Sequence, residues 1–329
     1  MTSTGSPAAK AQKTPAPAPY IHATQSSHPP ESPDKTLQQV KTGVGADERL
    51  GDASLFGGAA RVSKDGDWSE SYICNLIDWH LKEQENIPDL TGSAYWPFKD
   101  FSTPIRPDNP VPYMNQKGVV ERDFTKKEAF FVFQSWWTDQ PMVHIYGHSW
   151  PIRWGDAAEP KMIKVYSNCE EAELFVNGKS YGVKKRDSQD FPAAGLRWNV
   201  PYAAGENTLK VVAKKGKVTV TDEIRQFYQT DKWGKPTQLL LEKIKQEGEI
   251  ATIQVQLVDA KGVKCLDAAN YVEFLLAGDG KLMDDLGTSS GSRKVQVYNG
   301  RATIRIKTNN GKNMAGVKSE GFNTVFLQL

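Results

Sequence analysis

The sequence predicts a multidomain chain: a partial α/β segment, the end of a (β/α)8 barrel, followed by two immunoglobulin-like all-β sandwiches. Three observations predict it. Two helix-periodic stretches enclose short apolar runs and a long Pro-rich loop before residue 150, an order that suits the end of a parallel barrel. From Lys161 onward the pattern changes to short alternating segments separated by turns, about ten residues apart. Seven of the nine tryptophans lie between Trp68 and Trp154, concentrating aromatic surface in the α/β part.

Residues 1–42 are rich in Pro, Ala, Ser and Thr and carry almost no aliphatic side chains. Such a segment cannot bury enough surface to offset its ordering entropy, so it is expected to be disordered. Residues 43–157 form the α/β part. A glycine-rich stretch, Gly43 to Ala60, leads to a helix capped by Ser69, with Tyr72, Ile73, Leu76, Ile77, Trp79 and His80 on one broad face and an end near Asn86, before Pro88. Leu90 to Trp96 reads as a short buried strand. The loop from Pro97 to Lys117 is long enough to suggest a functional role. Thr125 and Glu128 have the spacing of a capping box for a second helix, whose apolar side holds Ala129, Phe130, Phe133, Trp136 and Trp137. Met142 to Tyr146 is a further strand.

The first sandwich is expected over residues 158–231, with strands at Met162–Tyr166, Ala172–Val176, Lys179–Val183, Leu196–Val200, Asn207–Ala213 and Lys217–Ile224. Asn177-Gly178 is a two-residue hairpin signal, and Trp198 is placed as a core residue. The second is expected over residues 232–329, with strands at Gln238–Lys243, Ile250–Asp259, Tyr271–Ala277, Lys294–Tyr298, Ala302–Lys307 and Gly316–Gln328.

Composition narrows the function. With 39% apolar and 24% charged residues and a formal net charge of +2, the 329-residue chain has no basic excess that would mark a nucleic-acid partner. No run of 18 apolar residues exists to span a membrane, and the first 20 residues lack the apolar core of a secretory signal. Cys74, Cys169 and Cys265 are too far apart for metal-ligand spacing, so neither a metal nor a cofactor is expected.

The motifs GSAYWPFKDFSTP, NQKGVVERD, PMVHIYGHSWPIRWG and VYSNCEEAELFVNGKSYG, in this order, resemble the C-terminal half of glycoside hydrolase family 2, the β-galactosidases and β-glucuronidases. The resemblance covers about Gly43 to Leu329. It implies that the α/β part is the remnant of a catalytic barrel and that any ligand is a carbohydrate of β-galactoside or β-glucuronide type. Trp96 then matches the aromatic residue that ends the eighth barrel strand beside the sugar, or else packs the barrel end. Phe98, Lys99 and Asp100 follow in the loop, lining the site or supporting it from behind. Asn115 and Lys117 match an Asn-x-Lys-Gly pattern with which β-glucuronidases hold a substrate carboxylate, although members assigned to neutral galactosides carry it too. An amide and an ammonium two residues apart are suited to one anionic group.

No catalytic residue is assigned. Retaining hydrolysis needs two carboxyl groups about 5 Å apart. The family's pair are glutamates on the fourth and seventh barrel strands, and Gly43–Gly155 has room for only the last two βα units. A Ser-Glu-Tyr-Gly motif precedes the family's equivalent of Gly43–Leu50, and here Lys41 stands where its glutamate belongs. Glu70, Asp78, Glu121, Asp123 and Glu128 are expected on solvated faces, His144 and His148 as hydrogen-bonded structural residues, and Phe130, Phe133 and Trp136 as an exposed association surface. The expected function is therefore the C-terminal portion of a family 2 hydrolase, inactive alone, whose partner is the missing N-terminal half. The alternative is a non-catalytic carbohydrate-binding or scaffolding protein built from the sandwiches. Family members are often exported, and the sequence leaves the location of this chain open.

Overall fold

The structure, a computed structural model, describes residues 20–22, 70–105, 111–283, 293–309 and 311–329. Helix α1 spans Glu70–Gln84. Ile73, Ile77 and Leu81 recur at helical spacing on one face and are buried. The expected cap Ser69 lies outside the described residues. Helix α2 spans Glu128–Trp137 and packs with α1 in a core that includes Val119, Trp150 and Tyr166.

The capping box expected at Thr125 does not form. Lys127 occupies the cap position without a side-chain bond, and the Thr125 amide donates to Asp123 Oδ1 at 3.0 Å. The orphan Glu128 amide is met instead by a carboxylate from another helix, Glu70 Oε1 at 3.4 Å. The expected aromatic association surface is also corrected. Phe133 is buried, packed between Tyr95 and Trp137, whereas Trp137 at the helix end is exposed.

Strand β1, Tyr20–His22, runs parallel to β2, Ala94–Trp96. At these three positions the expectation of disorder is corrected, and the residue types explain why: Tyr-Ile is aromatic and β-branched in a segment otherwise poor in strand formers. The rest of residues 1–42, and all of 43–69, lie outside the described residues. The buried strand expected from Leu90 is shorter and more open than its composition suggested. Only three residues pair, and Ala94 and Trp96 are exposed. Beyond it, β3 (Phe101–Ser102) pairs antiparallel with β4 (Met114–Asn115).

The first sandwich is built from β5 (Val143–Ile145), β6 (Ile152–Trp154), β7 (Pro160–Ser167), β8 (Glu171–Val176), β9 (Lys179–Lys185), β10 (Arg197–Pro201), β11 (Gly205–Lys215) and β12 (Val218–Gln229). Its sheets have the orders β10-β7-β5 and β6-β12-β11-β8-β9. Asn177 and Gly178 both take positive φ, 50° and 81°, as a type I′ hairpin between β8 and β9 requires. Strand β7 is buried on both faces. Ile163 and Val165 enter the sandwich core with Leu174, Leu209 and Trp198, while Lys164 and Tyr166 face the helices. The Lys164 ammonium reaches Asn75 Oδ1 at 3.0 Å and lies 4.3 Å from the Tyr146 ring centroid. Burial lowers its pKa to about 8.

The second sandwich holds β13 (Pro236–Glu247), β14 (Ile250–Asp259), β15 (Tyr271–Gly278), β16 (Lys281–Leu282), β17 (Lys294–Gln296), β18 (Arg301–Lys307), β19 (Asn313–Ser319) and β20 (Val325–Gln328), with sheet orders β13-β14-β18-β16 and β17-β15-β19-β20. The single strand expected over Gly316–Gln328 is two strands, divided by a turn in which Gly321 has φ 79°. The sandwiches meet at β6. Ile152 joins the second core, and the Asn299 side chain bonds both its amide (3.2 Å) and its carbonyl (2.9 Å).

Candidate functional site

Trp96 ends β2 with 52% of its surface exposed, and Phe98 follows at 57%. The Phe101 ring meets Trp96 edge-on with centroids 5.5 Å apart. Phe101 is in turn the register partner of Asn115 on β4. Trp96, Phe101 and Asn115 are thus linked across one short hairpin, although 18 residues of sequence separate Trp96 from the first residue of β4.

The segment after β4 is held by bonds to several of its backbone groups. Asn115 Oδ1 accepts the Lys117 amide at 3.1 Å, and the Tyr95 hydroxyl donates to the Lys117 carbonyl at 2.7 Å. Burial, with Cys74 and Asp100 nearby, pushes the Tyr95 phenol above its ordinary value, which keeps it a donor at neutral pH. The Gly118 amide donates to Asp100 Oδ1 at 2.9 Å, and Lys127 Nζ meets the same oxygen at 2.7 Å.

The structure therefore separates the six sequence candidates. Trp96 and Phe98 present aromatic surface, whereas Asn115 is buried at the end of β4 and Lys117 follows it in the next loop. Asp100 does not line the surface; it is buried and turned inward onto Lys127 and Gly118. Lys99 is turned aside, its ammonium 3.7 Å from the Phe124 ring centroid. Sequence reasoning missed Tyr95, Phe101 and Lys127. Lys127 had no signal, since a lysine at a helix start reads as a solvated charge.

The acids expected on solvated faces are corrected at three positions: Glu70, Asp78 and Glu128 are buried. Each has a partner that helical periodicity cannot reveal. Asp78 accepts the Ala193 amide at 2.6 Å, and Glu70 accepts the Ser149 hydroxyl. Glu128 Oε2 bonds His144 Nε2 at 2.8 Å, and His148 Nε2 bonds Asp222 Oδ2 at 2.8 Å. Both histidines are hydrogen-bonded, as expected. Their rings stack with centroids 4.4 Å apart, and Phe131 stacks on the far side of His144 at 3.6 Å. His144, His148 and Asp222 each place one donor atom within 4.8 Å of the others, the spacing of a metal site. However, the rings are only 15° from parallel, so their lone pairs do not converge on one ion, and both Nε2 atoms are taken up by carboxylates.

The His148–Asp222 pair makes stability depend on pH. Burial alone would lower His148, but the Asp222 carboxylate outweighs it and holds the imidazole above its ordinary value. Burial would raise Asp222, but His148 and the Ile145 amide hold it below. Histidine's share is present below the unfolded value of about 6.5 and is lost as pH rises through the folded one; the aspartate's is present above about 3.9 and lost as pH falls through its folded one. The melting-temperature difference between wild type and His148→Gln should be largest between these values and shrink towards about pH 9. A difference independent of pH would contradict this pairing.

Comparison with known proteins gives this geometry a context. Residues 158–220 match a family described as a domain of unknown function, DUF4982. The crystal structure of Parabacteroides merdae β-glucuronidase superposes with a TM-score of 0.77 at 62% identity, covering 80% of this chain and 34% of that one. The chain's homologues are glycoside hydrolase family 2 enzymes. A Formosa agariphila protein provisionally named a β-glucuronidase is 45% identical over 256 residues, 78% of this chain and 31% of its own. Bacteroides ovatus β-galactosidase BoGH2A is 30% identical over 274 residues, again 78% of this chain and 30% of the relative. This chain thus spans about a third of the length of the family 2 relatives it matches.

Proposed function

We propose that this chain is the C-terminal portion of a family 2 glycosidase of the β-glucuronidase type, which contributes sugar and carboxylate recognition but not the catalytic carboxyls. Residues 43–157 are the last part of the (β/α)8 barrel, and residues 158–231 and 232–329 are two immunoglobulin-like sandwiches. Trp96 offers a face on which a sugar ring stacks, and Asn115 and Lys117 hold the uronate carboxylate through an amide donor and an ammonium. The observation that carries this reading is the juxtaposition of half-exposed Trp96 and Phe98 with the fixed Asn115–Gly118 loop. The 62% identity to a β-glucuronidase favours a uronate over a neutral galactoside.

Among the described residues, no pair of acids is placed beside Trp96 for hydrolysis. Asp100 is engaged by Lys127, and the sequence has Lys41 where the family's nucleophile is expected. By the family resemblance the two glutamates belong to the portion of the relatives that this chain does not span, and that portion is the proposed partner of this one. The reading is tested by ligand-observed NMR of the full chain with D-glucuronate and D-galactose. Glucuronate should bind saturably and in preference, and Trp96→Ala should weaken both sugars. Equal binding of the two, or a preference for galactose, would overturn the uronate assignment.

A further inference from the structure

We propose that Asp100 and Lys127 are positioning residues that fix the Asn115–Gly118 loop in register for a sugar carboxylate; the proposal rests on the reading of Asn115 and Lys117 given above. Neither residue needs to touch the ligand. Asp100 and Lys127 are only 6% and 7% exposed. A buried ion pair carries a large desolvation cost, which good geometry and extra hydrogen bonds must offset. Both are present here. Asp100 Oδ1 receives Lys127 Nζ at 2.7 Å and the Gly118 amide at 2.9 Å, and Lys127 Nζ donates a further bond to the Gln116 carbonyl at 2.9 Å.

These bonds act on consecutive peptide groups. Gln116 is held through its carbonyl, Lys117 through its amide by Asn115 Oδ1 and through its carbonyl by Tyr95, and Gly118 through its amide. The pair itself is anchored on both sides, since the Asp100 amide donates to the Val120 carbonyl at 3.0 Å and the Lys127 amide to the Val119 carbonyl at 3.0 Å. Gly118 is required by this packing. A Cβ there would lie 2.6 Å from Asp100 Oδ1 and against the Asp100 backbone, so any larger residue would push the carboxylate off the amide. The backbone positions of the amide donor and the ammonium therefore depend on an ion pair that lies behind them. A recognition pair two residues apart works only if both groups keep their relative placement.

The test is the affinity of the full chain for D-glucuronate relative to D-glucose, which lacks the carboxylate. It is measured by ligand-observed NMR titration for wild type, Asp100→Asn, Lys127→Met and the charge-neutral double variant D100N/K127M. Folding is checked by circular dichroism. The double variant leaves no unpaired buried charge, which keeps the test available if a single variant unfolds. We expect wild type to prefer glucuronate, and the folded variants to lose about tenfold of that preference while glucose binding stays within about twofold. A role limited to stability would move both sugars together or neither, and that result would overturn the proposal. If wild type binds glucuronate, and Lys117→Ala removes the preference while the double variant keeps it, the positioning role fails but the uronate reading stands. If wild type shows no preference for glucuronate, the uronate reading fails and the proposal falls with it.

Discussion

Glu128→Ala is expected to destabilise the chain by about 1–3 kcal/mol, the cost of leaving the buried hydrogen-bond partners of its carboxylate unsatisfied. Glu128 is 3% exposed and links three elements. Its carboxylate receives His144 Nε2 at 2.8 Å and the Ser149 amide at 3.3 Å, and its own amide is met by Glu70. Truncation strands the His144 imidazole between Phe131 and His148 without its acceptor. Burial would raise the Glu128 carboxyl, but the bond and charge of His144, with backbone amides of Ser149 and Gly147, hold it below its ordinary value. A depressed carboxyl stabilises above its unfolded value and ceases to as pH falls through the folded one, so the penalty should shrink in strong acid. Glu83→Ala, which breaks the partly exposed pair with Lys82, should cost well under about 1 kcal/mol. Guanidinium unfolding of both variants checks this, and a Glu128 effect as small as that of Glu83 would contradict it.

The sandwiches were legible because each strand states its own pattern. Alternation at Ala172–Val176 and the Asn177-Gly178 turn are local properties, and the observed strand and hairpin follow them closely. Strand β6 was missed because its three residues are recruited by the neighbouring β12 and by Asn299 rather than by a pattern of their own. The acids failed for a related reason. Glu70, Asp78 and Glu128 sit on helices where a charge reads as solvated, but the partners of Glu70 and Asp78 are 58 or more residues away in sequence, the amides of Glu128 and Ala193 and the Ser149 hydroxyl, and those of the Glu128 carboxylate, His144 and Ser149, lie beyond the end of its own helix. At the proposed site, Trp96, Asn115 and Lys117 enter through family motifs rather than through periodicity. For Asp100 the sequence left open whether it lines the site or supports it from behind, and only the fold shows that Lys127 lies behind it.

The second large effect is catalytic and close to all-or-none. Glycosidases exceed the uncatalysed rate by many powers of ten, on the order of a millionfold or more, so even a small competent fraction gives a clear signal. Retention requires two carboxyls about 5 Å apart, one ionised and one protonated. Asp100 is buried against Lys127 and Gly118, and Asp123 faces Arg305 of the second sandwich at 3.4 Å. Neither is placed as a nucleophile beside Trp96. Recognition without catalysis is tested by incubating the full chain with an aryl β-D-glucuronide and following phenol release between about pH 4 and pH 8, where a carboxylate pair works. Release no faster than the blank is expected at any pH. Release above the blank that disappears in Asp100→Asn or Glu121→Gln would contradict it.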